Sequence, residues 1–157
     1  MNVATWGVTP ALRDSIARIA VYDGFTPDDA ALRMLPSGTV DLVIPLEGRF
    51  QARLAGDHAA PIEVEAPALL GPQVRHSFYG TAEMRRGVLV TFQPGRASRF
   101  LPLPVGELRD RSVDAELVFG STIRTLADRL RVQRDPAAMM SLVETYLRLR
   151  FTEELSH

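Results

Sequence analysis

The sequence predicts an α+β fold in one domain spanning residues 1–157, with a β barrel or sandwich over 1–95 and a mainly helical part over 96–157. Three observations support this prediction. Several short segments alternate apolar and polar residues, and turns that contain Gly or Pro separate them. After Pro94-Gly95 the apolar spacing becomes that of a helix. The length, with 46% hydrophobic and 24% charged residues, fits a single globular core.

Alternation predicts the strands in order along the chain. Residues 39–46 place Val40, Leu42, Ile44 and Leu46 on one side, and the run at 49–54 follows after a Glu47-Gly48 turn. We expect these two segments to pair as a hairpin. Further strands are predicted at 62–66, 74–79 and 84–93.

Two helices are predicted in the C-terminal part. An apolar stripe at spacings of four, three and four residues comprises Phe119, Ile123, Leu126 and Leu130. Gly120 lies within this stripe, so we expect a break or a close contact there. Asp135-Pro136 is a start signal for a second helix that runs to about Phe151, since Asp can cap free N–H groups and Pro is tolerated in the first turn.

The last helix has an apolar surface wider than one packing partner needs. Leu142 and Leu149 lie partly outside its main face. Two interpretations remain open, namely burial against the barrel and the preceding helix, or a homodimer seam. The candidate dimerisation residues are Met139, Val143, Tyr146 and Leu147.

Composition limits the classes of function. With 18 Lys+Arg against 19 Asp+Glu, the chain has no net positive field that would concentrate nucleic acid. There are no cysteines, which excludes disulfides and thiol chemistry and is compatible with the cytoplasm. Arg13, Asp14 and Arg18 interrupt the N-terminal apolar pattern, so we expect neither a signal peptide nor a membrane span.

The residues that enzymes use most often are sparse. Of the three histidines, His58 and His157 lie in a predicted loop and at the end of the chain, and only His76 lies on a predicted strand. Zinc and iron need several nitrogen ligands in fixed geometry, so we expect no bound metal, no cofactor and no catalytic residues. No serine lies in a nucleophile elbow, and no glycine-rich turn opens a helix to hold phosphate.

A small-molecule pocket is the remaining candidate site. The alternation places His76 and Arg86 among apolar residues on one side of their strands, and such sites are mostly apolar with a few polar groups. A shift of one residue in register would turn both outward instead. Asp41 falls on the opposite face, as a surface or hydrogen-bonded structural residue. The candidate ligand-binding residues are His76, Phe78, Arg86, Val90 and Phe92, and Trp6 and Tyr22 either close the pocket or pack in the core.

Five short motifs occur in a recognisable order between residues 20 and 149. They are Leu35-Pro36-Ser37-Gly38 leading into Val40-Asp41-Leu42-Val43, then Gly71-Pro72-Gln73, then residues 87–95 (GVLVTFQPG), then Glu107-Leu108-Arg109-Asp110, then residues 116–120 (ELVFG). In this order the chain resembles the N-terminal sensor and dimerisation domain of bacterial AraC-type (AraC/XylS-like) transcription regulators. The resemblance implies a cupin-like β-barrel or jelly roll followed by a pair of helices, an unknown small-molecule effector and a homodimer.

The resemblance also implies a C-terminal helix-turn-helix domain that this sequence lacks. DNA would be bound only through that domain, and we expect the chain to be a piece of a longer regulator rather than a stand-alone sensor. Three hypotheses for function therefore stand. The first is a ligand-sensing and dimerisation domain, the second a cupin-like enzyme acting on a small molecule, and the third a ligand-free interaction module.

Overall fold

Two antiparallel sheets form the N-terminal part of the protein. The computed structural model describes residues 2–6, 8–23, 32–34, 38–54, 62–72, 77–80, 85–99, 101 and 104–155. In these ranges the strands are β1 (Asn2–Trp6), β2 (Ile16–Asp23), β3 (Leu32–Met34), β4 (Asp41–Glu47), β5 (Phe50–Leu54), β6 (Ile62–Val64), β7 (Ala68–Leu70), β8 (Ser77–Gly80), β9 (Arg86–Phe92) and β10 (Ser112–Asp114). Six of them form a sheet in the order β1-β2-β9-β4-β7-β10, and four form a sheet in the order β3-β8-β5-β6.

The predicted hairpin between residues 39–46 and 49–54 is not formed. Both segments are strands, but β4 pairs with β7 and β9, whereas β5 pairs with β6 and β8 in the other sheet. The chain changes sheet at Gly48, whose φ of 84° is in the left-handed region that glycine adopts readily. Alternation identifies a strand but not its partner, which is why the pairing was mispredicted.

One face of the six-stranded sheet packs against the helices. Paired positions such as Ile19, Val90 and Leu42 stand side by side across β2, β9 and β4. They belong to one buried cluster together with apolar residues of the helices. We call this surface the helix face, and it comprises Ile19, Val21, Leu42, Ile44, Leu69, Val88, Val90 and Phe92.

The helical part follows the predicted order. Its helices are α1 (Glu116–Phe119), α2 (Thr122–Val132) and α3 (Pro136–Leu155). The predicted break occurs at Gly120, which has a φ of 71°, and the carboxylate of Asp135 accepts a hydrogen bond from the Ala137 N–H at 3.3 Å. All four residues of the predicted stripe are buried, namely Phe119, Ile123, Leu126 and Leu130. The α+β class and both helix predictions are therefore confirmed, although α3 extends four residues beyond Phe151.

The structure buries most of the candidate dimerisation residues in the core. Met139, Val143 and Leu147 are only 2%, 0% and 0% exposed, because they face the sheet and α2 rather than solvent. Tyr146 is half-buried, its hydroxyl lies 2.9 Å from the Thr122 hydroxyl, and its ring centroid lies 6.1 Å from that of Phe119. Core burial therefore accounts for three of the four residues, which is the first of the two interpretations given above.

Within the ranges given above, no helix is both long enough and apolar enough to cross a bilayer.

Candidate functional site

The second face of the six-stranded sheet points away from the helices and toward the four-stranded sheet. Residues of this inner face alternate with those of the helix face along each strand. Val64 of β6 packs into the same buried cluster as Val43 and Leu70, so the two sheets meet here. The inner face comprises Ala20, Tyr22, Asp41, Val43, Ala68, Leu70, Leu89 and Thr91, with Arg18 at its exposed margin.

A row of polar side chains crosses this inner face. In the strand register Thr91 of β9 lies opposite Arg18 of β2 on one side and opposite Asp41 of β4 on the other. The Thr91 hydroxyl and the Asp41 carboxyl share a hydrogen bond. Tyr22, two residues beyond Ala20 on β2, interacts electrostatically with Arg18 and Asp41. Antiparallel pairing therefore brings together a carboxyl, a hydroxyl and a guanidinium from three strands.

Burial sets the electrostatics of this row. It raises the pKa of the Asp41 carboxyl above its ordinary value, and the hydrogen bond from Thr91 and the charge of Arg18 oppose that rise only in part. Burial likewise raises the pKa of the Tyr22 hydroxyl, while Arg18 lowers it and Asp41 raises it further. A carboxyl whose charge is disfavoured by its surroundings gains from a ligand that supplies a hydrogen-bond donor.

Apolar side chains surround the polar row. Ala20, Val43 and Leu70 are 1%, 2% and 3% exposed, and Leu89 is half-buried in the same cluster. The resulting surface is apolar with a few polar groups at one level, which is the usual composition of a small-molecule site. Its polar groups can hold the polar group of a ligand by hydrogen bonds, and the half-buried Leu89 is the nearest apolar residue on β9.

The residues predicted to form the pocket do not come together on this surface. Arg86, Val90 and Phe92 are buried on the other side of β9, facing the helices. Phe78 lies on β8, where it pairs with Arg33 and Arg53 of the four-stranded sheet, and His76 lies outside the described residues. The alternation of β9 was predicted correctly, but the helices cover the face that was expected to hold the ligand.

The Arg86 side chain makes its hydrogen bonds to other parts of the protein. Its guanidinium donates to the Glu47 carboxylate at 3.3 Å and to the backbone carbonyls of Arg131 and Gln133 at 3.2 and 2.7 Å. The Met139 sulfur lies 3.7 Å from Nη2. Arg86 thus ties the start of β9 to the connection between α2 and α3, and its donors are used by the protein rather than offered to a ligand.

Three residues of the inner face were missed from the sequence as site residues. Arg18 was considered only as a charge that interrupts an apolar pattern, Tyr22 only as a lid or core residue, and Thr91 only as part of the motif at residues 87–95. The alternation in the sequence did carry this information, because Thr91 lies on the same side of β9 as Leu89, and Asp41 lies on the same side of β4 as Val43. Since both faces of β4 and β9 are largely apolar, alternation could not show which face the helices cover.

Metal chemistry has no candidate centre in the ranges described above. No group of three or more His, Cys, Asp or Glu side chains is arranged there to hold an ion. All three histidines lie outside those ranges, so the expectation of a metal-free protein stays a prediction.

Comparison with solved structures gives distant likenesses. A protein of Salmonella typhimurium described as ethanolamine utilization protein q is 15% identical, with a TM-score of 0.41 over 59% of this chain and 69% of that chain. An apo ToxT structure from Vibrio cholerae is 13% identical, with a TM-score of 0.45 over 87% of this chain and 54% of that chain. The chain thus spans about half the length of ToxT. Likenesses of this size carry no information about ligand or activity.

Comparison with family models gives a direct match, whereas no curated protein matches the chain. The model described as "Domain of unknown function (DUF6597)" matches residues 9–114. This range contains β2, β4, β7 and β9, and therefore every residue of the inner face. Because the match covers more than half of the 157 residues, the chain belongs to the DUF6597 family.

Proposed function

We propose that this chain is the ligand-sensing domain of an AraC-type transcription regulator, built as a cupin-like β sandwich. Its small-molecule effector binds on the inner face, where the row of Arg18, Thr91 and Asp41 meets apolar side chains. That row is the observation that carries the proposal. The order of sequence motifs described above supports the assignment to a regulator. The role is binding rather than catalysis, and the place of action is the cytoplasm.

The strands offer a route from the effector to the rest of the regulator. β4 and β9 carry the inner face on one side and the helix face on the other, so one backbone is shared by the site and by the helix contacts. An effector that fits one arrangement of these strands better than another shifts the population of helix positions. In the proposed regulator a separate helix-turn-helix domain reads this shift and binds DNA.

The homodimer stays a prediction, but three of the four residues proposed for its interface are buried in the core. Met139, Val143 and Leu147 belong to the core, so a dimer would use other, exposed residues.

A thermal-shift screen of purified protein against metabolites tests the ligand-sensing proposal. An effector at a hundred times its dissociation constant adds about 2.7 kcal/mol to the free energy of unfolding. For each compound that raises Tm, Thr91→Val and Asp41→Ala should abolish the rise. The matched control Asp128→Asn, which removes an exposed carboxylate on α2, should preserve it.

Three results would count against this proposal. Compounds that stabilise the Thr91→Val and Asp41→Ala variants as well as the original protein would place the effector elsewhere. Stoichiometric iron, manganese or zinc in the purified protein, measured by elemental analysis, would favour the cupin-like enzyme instead. A broad screen in which nothing raises Tm would favour the ligand-free interaction module.

A further inference from the structure

A concave surface lies on the outer side of α2 and α3, away from the inner face. The two helices are joined by three residues, Gln133–Asp135, and therefore lie as antiparallel neighbours. The groove between them has a volume of about 510 Å³. Small-molecule sites have volumes of about 300 to 1,000 Å³, so the groove is large enough for a ligand.

Apolar side chains form the length of the groove. Leu126 of α2 and Leu142 and Leu149 of α3 line it, and Leu149 is 62% exposed. At the open end of the helical hairpin, the hydroxyls of Thr122 and Tyr146 lie 2.9 Å apart and bridge the two helices. This hydrogen bond links α2 to α3 at that end of the groove. An apolar ligand segment along the groove would remove Leu149 from water.

The charge of the groove has one sign. Arg129 lines it near the closed end, one helical turn before Gln133, and no acidic side chain of the described residues joins the lining. Other arginines of this helical pair have carboxylate partners there, as Arg131 has Asp128 and Arg124 has Glu116. Arg129 has no ion pair among the described residues. An anion is the complement of this arginine, and a carboxylate can accept two of its N–H groups at once.

We propose that this groove binds a small amphipathic carboxylate, with its head on Arg129 and its apolar part along Leu126, Leu142 and Leu149. Arg129 lies seven positions after Thr122 on α2, and at about 1.5 Å per residue the apolar part has about 10 Å of groove. This site is separate from the inner face and does not depend on the function proposed for it.

Octanoate is a suitable probe, because it joins a carboxylate to an apolar chain of about the right length. Isothermal titration should give saturable binding, and amide shifts in NMR spectra should cluster on α2 and α3. Arg129→Gln should weaken binding about tenfold or more, the usual effect of losing a charged hydrogen bond. Arg129→Lys should retain most of it. Arg131→Gln, which removes the same charge from the same helix outside the groove, should change affinity less than twofold.

Other results would overturn this proposal. Equal binding of octylammonium would mean that the chain length alone is recognised. Shifts confined to Thr91 and Asp41 would assign octanoate to the inner face. A dimer in light scattering that Leu149→Glu abolishes, in protein that does not bind octanoate, would assign the groove to a second copy of the chain.

Discussion

Asp41 illustrates how one residue can be costly to the fold and useful to a site. Its carboxyl lies among apolar side chains, with Thr91 as hydrogen-bond partner and Arg18 at the margin. Neither neighbour offsets the loss of water, so the carboxyl resists ionisation. Residues with a perturbed pKa are frequent at functional sites, and the strand register that brings Asp41 beside Thr91 and Arg18 supports the same conclusion.

The pH dependence of stability should reveal this cost. Between the ordinary value of 3.8 and its raised folded value, the Asp41 carboxyl holds a proton in the folded state that the unfolded state has lost. The contribution of Asp41 to the free energy of unfolding therefore falls as pH rises through this window and remains lowered above it. Asp41→Asn cannot ionise but keeps an oxygen for Thr91. We expect this variant to be more stable than the original protein at pH 7.

Urea denaturation from pH 4 to pH 7 measures the effect. The difference between the variant and the original protein should be smallest at pH 4 and grow with pH. Asp128→Asn controls for the loss of one charge at an exposed position. A difference that is independent of pH, or that favours the original protein at pH 7, would show that Arg18 and Thr91 compensate the buried charge.

At the scale of elements, the sequence was most informative where the local chemistry was strong. Gly120 and Asp135-Pro136 set helix ends by local geometry, so both could be predicted. β7 and β10 have three residues each, too few for alternation to be recognised. The partners of β4, and the choice of the face that helices cover, depend on contacts between distant segments, which a periodic pattern does not encode.

Gly120 separates α1 from α2 by its backbone conformation. Its φ of 71° and ψ of −169° lie in a region that essentially only glycine adopts, while an added Cβ would meet no atom within 4 Å. Gly120→Ala should therefore lower the free energy of unfolding by about 1 to 3 kcal/mol through backbone strain alone. Gly106→Ala also has open space but no positive φ, so it should change stability much less. Guanidinium denaturation of both variants tests this, and equal effects would refute the role of backbone strain.

At the scale of the whole molecule, a small polar junction joins the sheet to the helices. The Glu47 carboxylate lies 3.3 Å from both Arg86 of β9 and Arg134 of the α2–α3 connection. The side chain of Arg86 is 4% exposed, whereas that of Arg134 is 73% exposed. The Glu47 carboxylate thus contacts one buried and one exposed cation. Only the buried cation, Arg86, also donates hydrogen bonds to the two backbone carbonyls at the end of α2.

Removing the buried cation should be far more damaging than removing the exposed one. Arg86→Met leaves the two carbonyls without their donor, and we expect a loss of about 3 kcal/mol. Arg134→Gln removes an exposed partner of the same carboxylate and should cost less than about 1 kcal/mol. Thermal and urea unfolding of both variants checks the contrast. Similar losses would mean that the junction is not a buried anchor.

The two-sided covering of β9 has a consequence for hydrogen exchange. β9 is flanked by β2 and β4, with α2 and α3 packed over one surface and Val64 of the four-stranded sheet in the buried cluster on the other. Its amide hydrogens should therefore exchange with deuterium only when the whole domain opens. The exchange rate at Val88 and Val90 is thus an internal measure of global stability. Any ligand that slows exchange at α3 while these two amides stay unchanged acts through a local motion of the helix rather than through stability.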